Sequence, residues 1–296
     1  MQARELILVV GATGLLGARI TRLLRDAGRP VRALVRPSAE PAKRAALETL
    51  GAELVTGDLK DPSSLDGACR GVTAIVSTAS ATISRQPGDS ILTVDREGQL
   101  ALIDAAERAQ VKRLTFVSFP PRSLDYELQR AKRAVEARLR ESRLSFTILQ
   151  PVSFCEVWLS PRAGFDPMRG TVRVFGSGEH PVSWVSVHDV ARFAAAAVDG
   201  TFDGRVLPLG GPDALSPLDV VRMFEEMAGR SVTVTHVKEK DLEEAFTGAP
   251  NPLEETYAAI MLAMARGLVV AAPPMVDTLP GRMTTVRDYL GQMLRG

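Results

Sequence analysis

The chain has 296 residues, 36 of them basic and 35 acidic, for a formal net charge of +1. That balance, with no long run of one sign, leaves no electrostatic footprint for nucleic acid or an anionic membrane, so the expected partner is a small molecule. The length admits one large α/β domain or a nucleotide-binding domain with a smaller appendage, and 45% hydrophobic residues suffice for a core without staples.

Cys69 and Cys155 stand far apart in no metal or redox spacing, as expected of buried thiols in a reducing compartment. His180, His188 and His236 are equally scattered, and no metal is expected. The opening MQARELILVV enters an apolar strand without the features of a secretory signal. The later stretch MLAMARGLVVAAPPM is broken by Arg266 and two prolines, so no membrane span is expected and the chain is placed in the cytoplasm.

In chain order, apolar runs near 5–10, 31–35, 53–56, 72–78, 113–118 and 145–150 read as strands. Between them lie helical patterns near 15–27, 40–50, 62–69, 89–109 and 126–142. Such alternation predicts a Rossmann-type α/β fold, a doubly wound parallel sheet with helices on both faces. Asp61-Pro62 offers a cap with a first-turn proline, and Gly28 closes the first helix.

The first strand runs into GATGLLG and then an amphipathic helix. Gly11, Gly14 and Gly17 permit a tight turn, close approach of backbone to a pyrophosphate and close packing of helix on strand, while the helix N-terminus favours the negative charge. Thr13, Leu15 and Leu16 complete the expected cofactor contacts of this turn. Arg36 stands at the tip of the second strand, where a carboxylate would hold the 2′-hydroxyl of NAD and an arginine accommodates a 2′-phosphate, so NADP(H) is the expected cofactor. Beyond the third and fourth strands, Asp58 and Leu59 are expected near the adenine, and Thr78, Ala79 and Ser80 beside the cofactor's middle.

The helical segment SLDYELQRAKRAVEARLRES places Tyr126 six positions before Lys132. At 100° per residue that is about 240° of rotation, so on one regular helix the two side chains diverge by about 120°. Two arrangements stay open: Tyr126 precedes the first turn in a loop delayed by the prolines of SFPPRSLD, or Lys132 acts without it.

After about Pro151 the pattern turns irregular, and residues 152–296 are expected to form a smaller substrate-side region, some of whose segments return to the sheet of residues 1–151. TVRVFGSGEHPVSWVSV reads as two short strands around a Gly-Ser-Gly turn. VHDVARFAAAAV reads as a helix capped by His188 or Asp189, and LSPLDVVRMFEEMAG as one capped by Ser216. Phe154 and Trp158, four apart on an expected helix, would present one apolar face to a flat substrate.

With GATGLLG, Arg36, GDLKD and KRAVEARLRESRLSFTILQP together, the chain over roughly residues 5–200 resembles the atypical short-chain dehydrogenase/reductases, in particular the NmrA-like and isoflavone-reductase-like group. The resemblance implies an NADPH-binding fold whose members either reduce small carbonyl, quinone or unsaturated aromatic compounds or act as non-catalytic redox sensors. An epimerase or isomerase that uses the cofactor transiently is a third reading of the sequence. By the same resemblance Lys132 anchors the nicotinamide ribose or serves as general acid, Ser118 takes the place of the main family's catalytic serine, and Pro151 borders the cofactor. The group's usual glycine is here Arg143 and its usual arginine is Gln150, so the substrate does not follow from analogy.

Overall fold

The computed structural model describes residues 5–83, 86–270, 279 and 281–295. By compactness the chain forms two units: Met1–Ser118, Glu127–Gln150 and Val190–Leu207 make the first, and Phe119–Tyr126, Pro151–Asp189 and Pro208–Gly296 the second.

In the first unit, strands β1 (Ile7–Val10), β2 (Val31–Val35), β3 (Glu53–Thr56), β4 (Ala74–Ser77), β5 (Arg113–Val117) and β6 (Ser145–Pro151) pair in parallel. With Arg205–Leu209 they form a seven-stranded sheet whose order is Arg205–Leu209, β6, β5, β4, β1, β2, β3. Every residue of β1 and β4 is buried, the unbroken apolar signature of strands covered on both faces. Helices α1 (Leu15–Asp26), α2 (Pro41–Thr49), α3 (Pro62–Cys69), α4 (Gly98–Arg108) and α5 (Glu127–Glu141) complete the doubly wound fold. The core gathers Leu8, Ile75, Leu102, Leu114 and Ile148 from sheet and helix alike. The strand order reverses between β1 and β4, and a crevice at the carboxyl ends of such a pair is where open α/β sheets bind ligands.

Local signals explain the boundaries. The Asp61 carboxylate accepts from Ser63 N at 3.1 Å ahead of Pro62, which starts α3. The helix expected near 89–109 is in two parts: a Ser90–Thr93 capping box opens a π-helical stretch, Ile91–Glu97, that passes into α4. At the junction a Cβ on Gly98 would lie 2.7 Å from Leu59 Cβ and 2.9 Å from its carbonyl, so α4 reaches the β3–α3 connection only because residue 98 has no side chain. Wide helical turns of this kind concentrate at functional sites.

The second unit contains two small sheets, one ordered Ala214–Leu215, Val182–Val185, Ser153–Phe154 and the other Thr233–Val237, Thr171–Phe175, Phe165–Asp166. Its core includes Leu159, Val172, Trp184, Val220, Phe224 and Leu290. The strands flanking Gly176–Gly178 thus lie in different sheets. Both glycines have positive φ, +67° and +75°, which turns the chain from one sheet toward the other.

Two expectations need correction here. His188 and Asp189 do not cap their helix, which already begins at Val187; Ser186 Oγ accepts from His188 N at 3.0 Å, and the Asp189 carboxylate accepts from Thr284 N at 2.7 Å. Phe154 is not on a helix with Trp158: it is a strand residue opposite Val185, and the helix starts at Cys155. Ser216 caps Pro217–Ala228 through a reciprocal bond with Asp219. Among the described residues no helix is long and apolar enough to cross a membrane, and no cluster of His, Cys, Asp and Glu is arranged to hold a metal.

Candidate active site

The turn after β1 is held by its own backbone. Gly14 N donates to Gly11 O at 2.9 Å, and Ala18 N to Gly14 O at 2.9 Å begins α1. Gly11 has φ +84°, and a Cβ there would lie 2.7 Å from Thr78 Oγ1 and 2.9 Å from Ala79 N; on Gly17 it would lie 2.2 Å from Gly11 O. The glycines therefore let three backbone segments meet. Gly14 caps α1 with no side chain, no acidic residue occupies the first turn, and Gly14 and Leu15 are exposed, with Thr13 and Leu16 half-buried. A backbone cradle at a helix N-terminus with no competing carboxylate suits a pyrophosphate.

The loop after β4 is fastened from several sides. Thr78 donates to Val10 O through both N (2.9 Å) and Oγ1 (3.2 Å), and Ser80 Oγ lies 3.2 Å from Thr82 Oγ1. Gln99 accepts from Ser77 Oγ at 2.8 Å and donates to Ala79 O at 3.2 Å, so one amide fixes both the strand end and the loop.

Asp95 carries the arrangement further. Its side chain is 0% exposed; Oδ2 accepts from Ala81 N at 2.9 Å, and Oδ1 lies 3.1 Å from Lys132 Nζ. Lys132, on the inner face of α5, also reaches Val117 O at 3.4 Å and sits 4.8 Å from the centroid of Phe116. The cation is thus held at the carboxyl end of β5 by a carboxylate, a carbonyl and a ring face. Neither Asp95 nor Gln99 was anticipated from sequence. The available signal was two polar residues four apart on a stripe otherwise formed by Ile91, Val94 and Leu102, which buries them with the apolar residues.

Ser118, buried just beyond β5, accepts on Oγ from Arg133 Nη2 at 2.9 Å. The same Arg133 nitrogen lies 2.9 Å from Glu136 Oε1, which also receives Gln150 Nε2 at 3.0 Å, while Arg140 approaches Glu136 Oε2 at 3.3 Å. Gln150, the departure from the family pattern, is therefore the amide partner of a buried glutamate.

Arg36 follows β2 directly and pairs with Asp89 at 2.7 Å. Asp58 shapes its turn by accepting from Lys60 N at 2.9 Å and donating through its own N–H to Ser64 Oγ at 3.1 Å, and Leu59 is a core side chain, 5% exposed. Only the backbone of Leu59 is left to meet a ligand. Pro151 ends β6 and is buried.

In the second unit Tyr126 stands immediately before the first residue of α5, so no common helix fixes its angle to Lys132. It is fully buried and stacks on Phe119, with centroids 6.1 Å apart and planes at 4°. Arg122 lies 5.6 Å from the Phe119 centroid, and burial holds its guanidinium below the ordinary arginine range against the opposing influence of Tyr126. Trp158 meets Phe175 edge to face at 6.2 Å and packs into two apolar clusters, whereas Phe154 is in register with Val185 in a strand pair; they do not share a helical face.

Three comparisons bear on these arrangements. The model of the NmrA-like family matches residues 3–278. A photosystem II assembly factor, Ycf39, of Cyanophora paradoxa is 33% identical over 243 residues, which are 81% of this chain and 74% of that protein. An NAD(P)H azoreductase of Xenophilus azovorans is 29% identical over 293 residues, 98% of this chain and 94% of the azoreductase. The solved binary complex of leucoanthocyanidin reductase with NADPH from Vitis vinifera matches with a TM-score of 0.80 at 22% identity, covering 99% of this chain and 100% of that one, a likeness of fold.

Proposed function

The chain belongs to the NmrA-like family, and from that premise we propose that it binds NADP(H) and reduces a small apolar carbonyl, quinone or conjugated compound by hydride transfer. The glycine turn fits a dinucleotide pyrophosphate, because a Cβ on Gly11 or Gly17 would force apart the segments that form it, and Arg36 at the tip of β2 fits a 2′-phosphate. When bound, the cofactor supplies the hydride.

The observation that carries the catalytic reading is the buried Lys132–Asp95 pair, tied through Ala81 N to the loop that meets the glycine turn. Lys132 Nζ holds a proton in a water-poor place beside the strand end, and donating it would neutralise charge that develops on a substrate oxygen or nitrogen. Proton transfer from Lys132 would leave the buried Asp95 carboxylate without its counter-charge. Ser118 accepts from Arg133, so its own O–H is directed away from that bond and can donate to a substrate oxygen.

A second reading, an NADP(H)-binding sensor or assembly protein without turnover, is favoured by the Ycf39 relative and by the engagement of Lys132 with an internal partner, Asp95. NADPH oxidation measured with a panel of quinones, enones, aldehydes and azo dyes decides between them. Turnover with any of these classes supports the reductase; tight NADPH binding with no turnover across the panel supports the sensor.

A further inference from the structure

We propose that Asp89 is an internal stand-in for the cofactor's 2′-phosphate and sets the discrimination between NADP(H) and NAD(H); the inference rests on the assignment of Arg36 to that phosphate. The Asp89 side chain is 1% exposed although it lies in a connection between β4 and the π-helical stretch. Arg36 Nη1 lies 2.7 Å from its Oδ2 and Lys60 Nζ 2.5 Å from its Oδ1, so among the described residues each carboxylate oxygen faces a cation. The position is built rather than incidental. Asp89 N donates to Gln86 O at 3.1 Å, Lys60 also holds Pro87 O at 3.0 Å, and the next residue, Ser90, opens the capping box.

Arg36 is 34% exposed and Lys60 23%, so the cations keep a solvent-facing side while the carboxylate beneath them does not. Asp58, 3.7 Å from Lys60 Nζ, adds a second carboxylate. A 2′-phosphate brings about two further negative charges. It is accommodated when Arg36 exchanges its bond to Asp89 for charge-assisted bonds to the phosphate, while Asp89 keeps Lys60. A 2′-hydroxyl gains nothing from that exchange. Asp89 thereby lowers the affinity for NADP(H) selectively, through competition for one guanidinium.

The test is the dissociation constants of NADPH and NADH for the wild-type chain, Asp89→Asn and Arg36→Ala, with thermal melting to verify folding and Asp89→Ser as a second uncharged variant. Removing the Asp89 charge should tighten NADPH about tenfold while NADH changes less than about threefold. Arg36→Ala should erase the preference for NADPH. If Arg36→Ala leaves the preference intact, the phosphate assignment itself fails. If Arg36→Ala erases it but both Asp89 variants leave NADPH affinity unchanged or weaker, the assignment stands and the stand-in role is overturned. Hydrogen exchange on the wild-type chain gives an arm that needs no variant: 2′,5′-ADP should speed exchange over residues 86–90 and 5′-ADP should not, and equal behaviour of the two would also overturn it.

Discussion

The two units are held together by different means. In the first, parallel strands of four to seven residues fix a site through backbone approach, Gly17 being closed in by main-chain atoms and Gly11 by the main chain of Ala79 together with Thr78 Oγ1. In the second, strands of two to five residues are joined by side chains that satisfy distant loops: Glu156 accepts from Val187 N at 3.0 Å, Asp213 from Val286 N at 3.0 Å, and Trp184 Nε1 donates to Leu215 O at 2.9 Å. Where backbone makes the site, its residues must be small and come in local motifs. Where side chains make it, the partners lie many residues apart and leave no spacing to read.

Glycine substitution should produce the largest effects and shows where the contrast breaks down. Gly17→Ala places a Cβ 2.2 Å from Gly11 O, and Gly211→Ala, in the side-chain-tied unit, places one 1.6 Å from Trp184 O. Both should abolish soluble expression or lower the urea midpoint drastically. Gly28→Ala, at φ +71° with nothing within 4 Å, should cost only about 1 kcal/mol. A mild effect of Gly211→Ala would show that close backbone approach matters in the first unit alone.

Next comes the buried pair. Lys132→Met leaves Asp95 buried without its cation and should destabilise by about 3–5 kcal/mol, whereas Lys132→Met with Asp95→Asn should recover more than half of that loss. Denaturant titrations of the two single variants and the double variant measure the coupling, and additive losses would argue against an energetic pair. In the second unit Trp184→Phe removes the donor to Leu215 O and should cost about 1–3 kcal/mol in the same assay.

The smallest effect concerns acid. Hydrogen bonds from Arg282 and then from Thr285 hold Asp288, in the first turn of the helix Val286–Arg295, well below the usual carboxylate range. A lowered folded-state pKa contributes stability above the unfolded value of about 4 that fades as pH falls below it. Asp288→Asn should therefore melt earlier than wild type at neutral pH, with the gap narrowing below about pH 4. A gap independent of pH would mean that the ionised form is not what the helix end uses.

The same contrast explains what was legible. GATGLLG, Asp61-Pro62 and Ser216-Pro217 are local devices whose partners lie within a few residues, and the strand rhythm of the first unit follows from burial on both faces. Asp95, Gln99 and Asp89 went unread because their importance lies in Lys132, Ser77 and Arg36, which tertiary packing brings to them. Phe154 and Trp158 misled through their four-residue spacing, since a strand ends between them where a continuous helix was expected. His188-Asp189 misled because Asp189 serves a loop 95 positions further on.

We propose that Lys132, compensated by Asp95, delivers the proton in an NADPH-dependent reduction. It is tested most directly by comparing NADPH affinity and turnover of wild type with those of the charge-matched Lys132→Met, Asp95→Asn double variant, on a quinone or azo substrate that the wild type reduces. Turnover falling by about 10²–10⁴-fold while NADPH binding stays within a few-fold is the predicted result. Unchanged turnover in the double variant would contradict it.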